Sequence, residues 1–296
     1  MEDKHTKTKS MIMMIASLLI VGTIGLFRRF IPLSSPMLAF SRGLIGGTSL
    51  LIFLLVRGRK RLALPRGKTL LALIVNGAFL GVNWILLFEA FNHTTIAKAT
   101  LCYYLQPTIV LLLSPLVFGE KLTLRKLLCA AAALGGMVLL SGVLGAEGSG
   151  GDLKGVLFGL GAACFYALVV IVNKKIEGVG MYERTLVQLL SCAVVLIPYL
   201  LLTEDLARIV ITTDTLLLLL IVGVVHTGLA YVLYFGSMRD LPAQTISVLS
   251  YIDPIVAMFV SVVVLSEPLA LSGVIGAVLI LGAAVVGELP PRKTAE

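Results

Sequence analysis

The chain has 296 residues; 58% are apolar, only 14% are charged, and the mean hydropathy is +1.03. A soluble domain carries about 25% charged residues, so too little polar surface exists here to cover a water-soluble globule. Disorder, which needs low hydrophobicity and high charge, is excluded too. The net charge of +8 would suggest nucleic acid in a soluble protein. Here the cations lie between apolar runs, where Lys and Arg act as topology signals, and no nucleic-acid partner is expected.

The first residues include KHTKTK, followed by an apolar run from Met11 to Phe27. Arg28 and Arg29 follow that run and no small-residue cleavage site does, so it reads as a first transmembrane helix rather than a signal peptide. A spanning helix needs about 20 apolar residues. On that measure the spans are 11–27, 36–56, 69–90, 96–118, 122–144, 154–173, 182–202, 214–236, 243–265 and 269–288. Tight hairpins fall at Gly119-Glu120-Lys121 and at Glu267-Pro268. Cys102, Cys129, Cys164 and Cys192 sit inside apolar stretches without CxxC spacing, so neither a metal nor a disulfide framework is expected.

If the N-terminus is cytoplasmic, eighteen Lys and Arg fall in inner segments and five in outer ones, with Arg42 inside a span. That bias predicts ten helices with both termini in the cytoplasm.

The most informative feature is self-similarity at an offset of 147 residues. Leu70–Val75 reads LLALIV and Leu217–Val222 reads LLLLIV; Gly81 pairs with Gly228, Phe88 with Phe235, Tyr104 with Tyr251, Pro107 with Pro254, Glu120 with Glu267 and Gly135 with Gly282. The expected layout is a first five-helix repeat at 1–144, a linker at 145–153 and a second repeat at 154–296. Five spans is an odd number, so the second copy enters from the opposite side of the bilayer. Such inverted repeats typify secondary transporters, with the solute site near the midplane where the repeats meet.

Two segments carry a family resemblance: LCYYLQPTIVLLLSPLVFGEKLTLRKLLCAAAALGGMVLLSG in the first half and VLSYIDPIVAMFVSVVVLSEPLALSGVIGAVLILGAAVVGE in the second. Each has a mid-helix Pro, an apolar run, a Glu at a tight hairpin and a Gly-containing helix. Arg42, six residues after Pro36, adds a recurring second-helix Arg. The chain resembles EamA-type permeases of the drug/metabolite transporter superfamily. The resemblance implies an all-α ten-helix integral membrane protein that moves small organic solutes, often outward. It does not identify the solute. The chain departs from strict symmetry at Gln106, whose partner is Asp253.

An ionisable group in the bilayer costs at least about 2.5–3.5 kcal/mol by insertion scales and needs a reason. Asp253 lies near the midplane of span 9. It either binds solute or a proton, or it is a structural carboxylate bonded to a Ser or Tyr of a neighbouring helix. Pro254 loosens the backbone beside it. Gln106 and Pro107 are the mates at similar depth; Gln106 can donate and accept toward a solute or join two helices. Tyr103, Tyr104, Ser250 and Tyr251 surround this pair and can line an amphipathic pocket. Arg42 either pairs with Glu89, clamps a solute carboxylate or snorkels outward.

Glu89 and His226 are candidates for proton coupling beside Asp253, with a structural hydrogen bond as the alternative for His226. Trp84, Asn83, Tyr166 and, more weakly, Tyr231 are cavity candidates, although core packing serves equally for Trp84. Glu120 and Glu267 read as structural, accepting from free N–H groups at the start of the next helix. Gly135, Gly136, Gly276 and Gly282 permit close helix approach.

No P-loop, HExxH, GxSxG or His/Cys cluster appears, so no ATP drive, enzymatic chemistry, metal or cofactor is expected. The expected function is a secondary transporter that moves small polar or amphipathic metabolites, such as amino acids or related compounds, out across the cytoplasmic membrane by alternating access, as a monomer or homodimer. A flippase of lipid-linked substrates is the alternative reading.

Overall fold

The computed structural model describes residues 2–57, 64–119, 122–141, 150–238, 240–242, 245–246 and 249–288. Among these, ten helices alternate with short connections. In the first half α1 runs in two pieces, Glu2–Gly22 and Ile24–Phe30; α2 is Ser35–Val56, α3 is Gly67–His93, and α4 runs as Ile96–Tyr103 and Gln106–Phe118; α5 is Leu124–Ser141. In the second half α6 is Gly150–Lys175 and α7 is Met181–Thr203; α8 covers Thr213–Leu220, Ile221–Leu229 and Ala230–Met238; α9 covers Ile252–Phe259 and Val260–Val264; α10 is Leu271–Glu288. Seven of these are long and apolar enough to cross a membrane, and two more are shorter and apolar. Large apolar side chains face outward; Leu116 is 86% exposed and Leu202 87%. In water that would be costly, whereas lipid is their natural solvent. The protein is an all-α, multi-pass membrane protein.

The elements start where local chemistry dictates. The Ser34 hydroxyl accepts from the Met37 N–H and Pro36 follows in the first turn of α2, a strong helix start. Thr95 does the same for α4 through Lys98 N–H. The charged residues before Met11 continue α1 rather than preceding it, since Lys loses little rotamer freedom in a helix. Likewise α6 begins at Gly150, within the stretch expected as linker.

The packing obeys the 147-residue repeat. Helix α3 packs on α6 as α8 packs on α1, α3 meets α7 as α8 meets α2, and α4 meets α6 as α9 meets α1. The pairs α2/α7, α4/α9 and α5/α10 face one another. Exchanging the halves maps these contacts onto themselves, as a two-fold axis between inverted five-helix copies requires. At α5/α10 the backbones nearly touch: a Cβ on Gly276 would lie 2.4 Å from the Gly136 carbonyl oxygen. Gly135 and Gly282 take no part, since a Cβ on either meets nothing within 4 Å.

A break interrupts α4 at Tyr104–Leu105, immediately before Gln106-Pro107, and in the second repeat a turn at Ser250–Tyr251 comes just before α9 and its Asp253-Pro254. A proline lacks the N–H that would continue the ladder. Gly119 and Ser266 also occupy matching repeat positions, at the ends of α4 and α9, and both have positive φ, 69° and 52°. The turn needs the left-handed region. Glycine takes it freely and serine does not.

Candidate functional site

A cavity of about 340 Å³ occupies the middle of the bundle. Its walls come from α1, α2, α3, α4, α6, α7, α8 and α9. It gathers most of the residues singled out from the sequence: Arg42, Trp84, Tyr103, Gln106, Tyr166 and Asp253, together with Tyr104, Tyr231 and Ser250. The repeat is legible here. Gln106 and Asp253, Tyr103 and Ser250, Trp84 and Tyr231, and Leu87 and Tyr234 are mates at the 147-residue offset, and every member lines the cavity.

Two charged groups define its chemistry. Arg42, 4% exposed, donates from Nε to Thr227 Oγ1 at 2.9 Å. Its guanidinium carbon lies 4.0 Å from the Trp84 ring centre and 6.0 Å from that of Phe88, a cation–π shelf. Among the described residues no carboxylate lies within ion-pair range of it. Asp253, at the start of α9 after the break, accepts from the Tyr104 hydroxyl at 2.6 Å. That bond ties α9 to α4 across the pseudo-two-fold axis. Tyr103 packs edge-on to Tyr104 and against Tyr166, giving an aromatic wall between the charges. A cation with in-plane donors on one side and a carboxylate on another can bind the two ends of a dipolar solute.

The other candidates lie elsewhere. Asn83 is fully buried and donates to the Ala162 carbonyl at 2.7 Å, so it joins α3 to α6 instead of facing the cavity. Tyr251 is buried outside the cavity lining. Glu89 pairs not with Arg42 but with the Ser35 hydroxyl at 2.6 Å, Asn92 at 3.1 Å and His93 at 3.5 Å. Ser35 opens α2 at the helix end, more than a turn from Arg42, which is why Glu89 meets it first. His226 lies 3.0 Å from the Thr23 hydroxyl and packs edge-on to Phe27. It braces α8 against the kink of α1.

Glu267 is structural, but it caps a different helix from the one expected. It accepts from the Ile96 N–H at the start of α4 at 2.8 Å and from Ser261 at 2.6 Å, and it pairs with Arg29. The hairpin turns its carboxylate away from α10 toward the other repeat. Glu120 lies outside the described residues. Arg28, counted from the sequence as a flanking charge, is buried and donates to the Ile31 carbonyl at 2.8 Å, closing the end of α1.

Sequence reasoning missed Tyr234, Phe235, Thr185, Gln188 and Asn173 among the lining residues. Tyr234 is the repeat mate of Leu87, a lining residue that the sequence did not single out either. The Gln188–Asn173 bond, 2.6 Å from Nε2 to Oδ1, joins α7 to α6 and has no signal in spacing.

The sequence profile of the EamA-like transporter family matches residues 8–142 and 153–286. The chain belongs to the EamA-like transporter family. The profile thus matches the chain twice, once in each half. An uncharacterized transporter of Bacillus subtilis (strain 168), YxxF, is 30% identical over 87% of this chain and 82% of its own length. Protein PecM of Dickeya dadantii (strain 3937) is 28% identical over 87% of this chain and 84% of its own. An uncharacterized transporter of Archaeoglobus fulgidus is 27% identical over 92% and 93%. A solved crystal structure with 22% identity superposes with a TM-score of 0.68, covering 97% of this chain and 99% of that one, and shows the same fold. This EamA-like chain is thus a membrane transporter, working on a small-molecule solute within a lipid environment.

Proposed function

We propose that the protein is a secondary transporter that exports small zwitterionic or amphipathic metabolites, amino acids or related compounds, across the cytoplasmic membrane, with both termini in the cytoplasm. The observation that carries this reading is the lining of one midplane cavity by Arg42 and Asp253. The guanidinium suits a solute carboxylate, Asp253 suits an ammonium, and Trp84, Tyr103 and Tyr166 supply the apolar contact. The volume, about 340 Å³, lies at the small end of ligand sites, roughly 300–1,000 Å³.

Alternating access is the mechanism that inverted copies support, because each half can take the other's conformation. The break in α4 and the turn before α9 both line the solute cavity, through Tyr104 and Ser250, so rotations at these two points would open or close it. Of the three proton-coupling candidates, Asp253 faces the cavity, whereas Glu89 and His226 are engaged at helix ends and seams. Asp253 is therefore the group whose charge a solute or proton changes.

Counterflow in proteoliposomes tests the reading. Labelled amino acid should accumulate in vesicles preloaded with unlabelled amino acid. Asp253→Asn should reduce accumulation and flatten its dependence on pH. Flux equal to that of empty vesicles across amino acids, sugars and cationic drugs would contradict it.

A further inference from the structure

A second cavity, of about 320 Å³, lies outside the solute site, between α4, α5, α6 and α10. It shares only Gln106 with the central cavity. From there it follows the second piece of α4 to Phe118, thirteen residues. At a rise of 1.5 Å per residue that is roughly 20 Å, against about 15 Å for one leaflet's share of the hydrocarbon core. Its walls are apolar and its floor is made of small residues. Val110, Leu111 and Val170 form the sides, and Ala130, Ala283 and Ala284 leave the space. The Ser114 hydroxyl is turned back to the Leu111 carbonyl at 2.8 Å, so it adds no polar demand.

The mouth is basic. Lys126 and Lys174 line it, and the Lys174 ammonium rests 4.0 Å from the Phe118 ring centre, with that of Lys175 at 5.9 Å. By the topology argued above, this end is the cytoplasmic interface.

We propose that this cleft binds an anionic phospholipid of the inner leaflet. One acyl chain lies along α4 over the alanine floor, and the phosphate sits among Lys126, Lys174 and Lys175. Basic pockets between helices on the cytoplasmic side suit anionic headgroups. The apolar trough, one leaflet deep, selects an amphiphile over a soluble anion. The chain end then abuts Gln106-Pro107, the wall shared with the solute cavity.

Native mass spectrometry of the purified protein tests this, with phosphatidylglycerol titrated against phosphatidylcholine and glycerol phosphate as soluble competitor. Wild type should retain phosphatidylglycerol over phosphatidylcholine, and glycerol phosphate should not displace it. Lys174→Gln with Lys175→Gln should weaken retention about fivefold per lysine. Ala284→Trp, which fills the trough, should abolish it. Equal retention of the two lipids would overturn the proposal, as would displacement by glycerol phosphate or unchanged retention in the charge variant. The two lysines are exposed, so that variant remains informative if Ala284→Trp does not fold.

Discussion

Helices α3 and α8 are copies of one another, yet they are built differently. Helix α3 is a regular α-helix from Gly67 to His93, and two asparagines fasten it to α6: Asn83 to the Ala162 carbonyl at 2.7 Å and Asn76 to that of Val169 at 3.3 Å. Their spacing of seven residues, two helical turns, puts both on one face. In α8 the matching positions are Gly223 and Ala230. There the helix widens to π geometry over Ile221–Leu229. The carbonyls of Ile221 and Val222 lie 3.3 Å from His226 Nδ1 and 3.1 Å from Thr227 Oγ1. The α1–α8 seam also has two polar ties, Ser17 to the Ala230 carbonyl at 2.8 Å and the Thr23 hydroxyl to His226 at 3.0 Å. The difference lies in the helix itself: α3 keeps a regular ladder and α8 is loosened over Ile221–Leu229, and π segments inside α-helices commonly mark functional sites. The same loosened stretch carries Thr227, the partner of Arg42.

The largest effect is expected at Arg42, which lines the cavity and is held by Thr227 of the loosened stretch. Arg42→Met should abolish amino-acid counterflow in proteoliposomes, because it removes the cavity's cation. Stability should hold or rise, because a buried charge without a carboxylate partner gives way to an apolar group. A variant that transports normally, or one that only unfolds, would refute the assignment of Arg42 to solute.

Next in size is Glu267, which ties the second repeat's last hairpin to the first repeat's α4. Glu267→Ala leaves the Ile96 N–H without its acceptor and Arg29 without its carboxylate, and should cost about 2 kcal/mol, read as the unfolding midpoint in mixed micelles. Transport by the folded fraction should persist.

Much of this frame is legible in the residues. The prolines at 107 and 254 announce the helix breaks, and the constant offset pairs Trp84 with Tyr231 and Tyr103 with Ser250 around the cavity. Glu267 is legible as a structural carboxylate but not as a cap of α4, because its partner is adjacent in space and distant in sequence. The Arg42–Thr227 bond is hidden for a related reason. It depends on a widened turn in α8, and no insertion disturbs the repeat there. Asn83 reads equally well as a cavity or a seam residue until α6 is placed beside it.

Smaller changes sharpen the comparison between the seams. The pair Asn76→Ala and Asn83→Ala should cost about 1.2 kcal/mol together, and Ser17→Ala about 0.6 kcal/mol, at about 0.6 kcal/mol per interhelical bond in a membrane. Equal unfolding midpoints for the double and the single variant would contradict an equal contribution from each bond. Ser266→Gly should stabilise the protein by about 1 kcal/mol by relieving the left-handed backbone. Gly119→Ser, at the mate position, should destabilise it by a similar amount.

Hydrogen–deuterium exchange of the reconstituted protein compares the halves directly, at residues 221–229 and their mates 74–82. The loosened segment of α8 should exchange faster than its copy in α3 and should gain protection when a transported amino acid is added. Matching exchange in the two segments, or protection confined to α3, would contradict an account in which the second repeat is the part that yields.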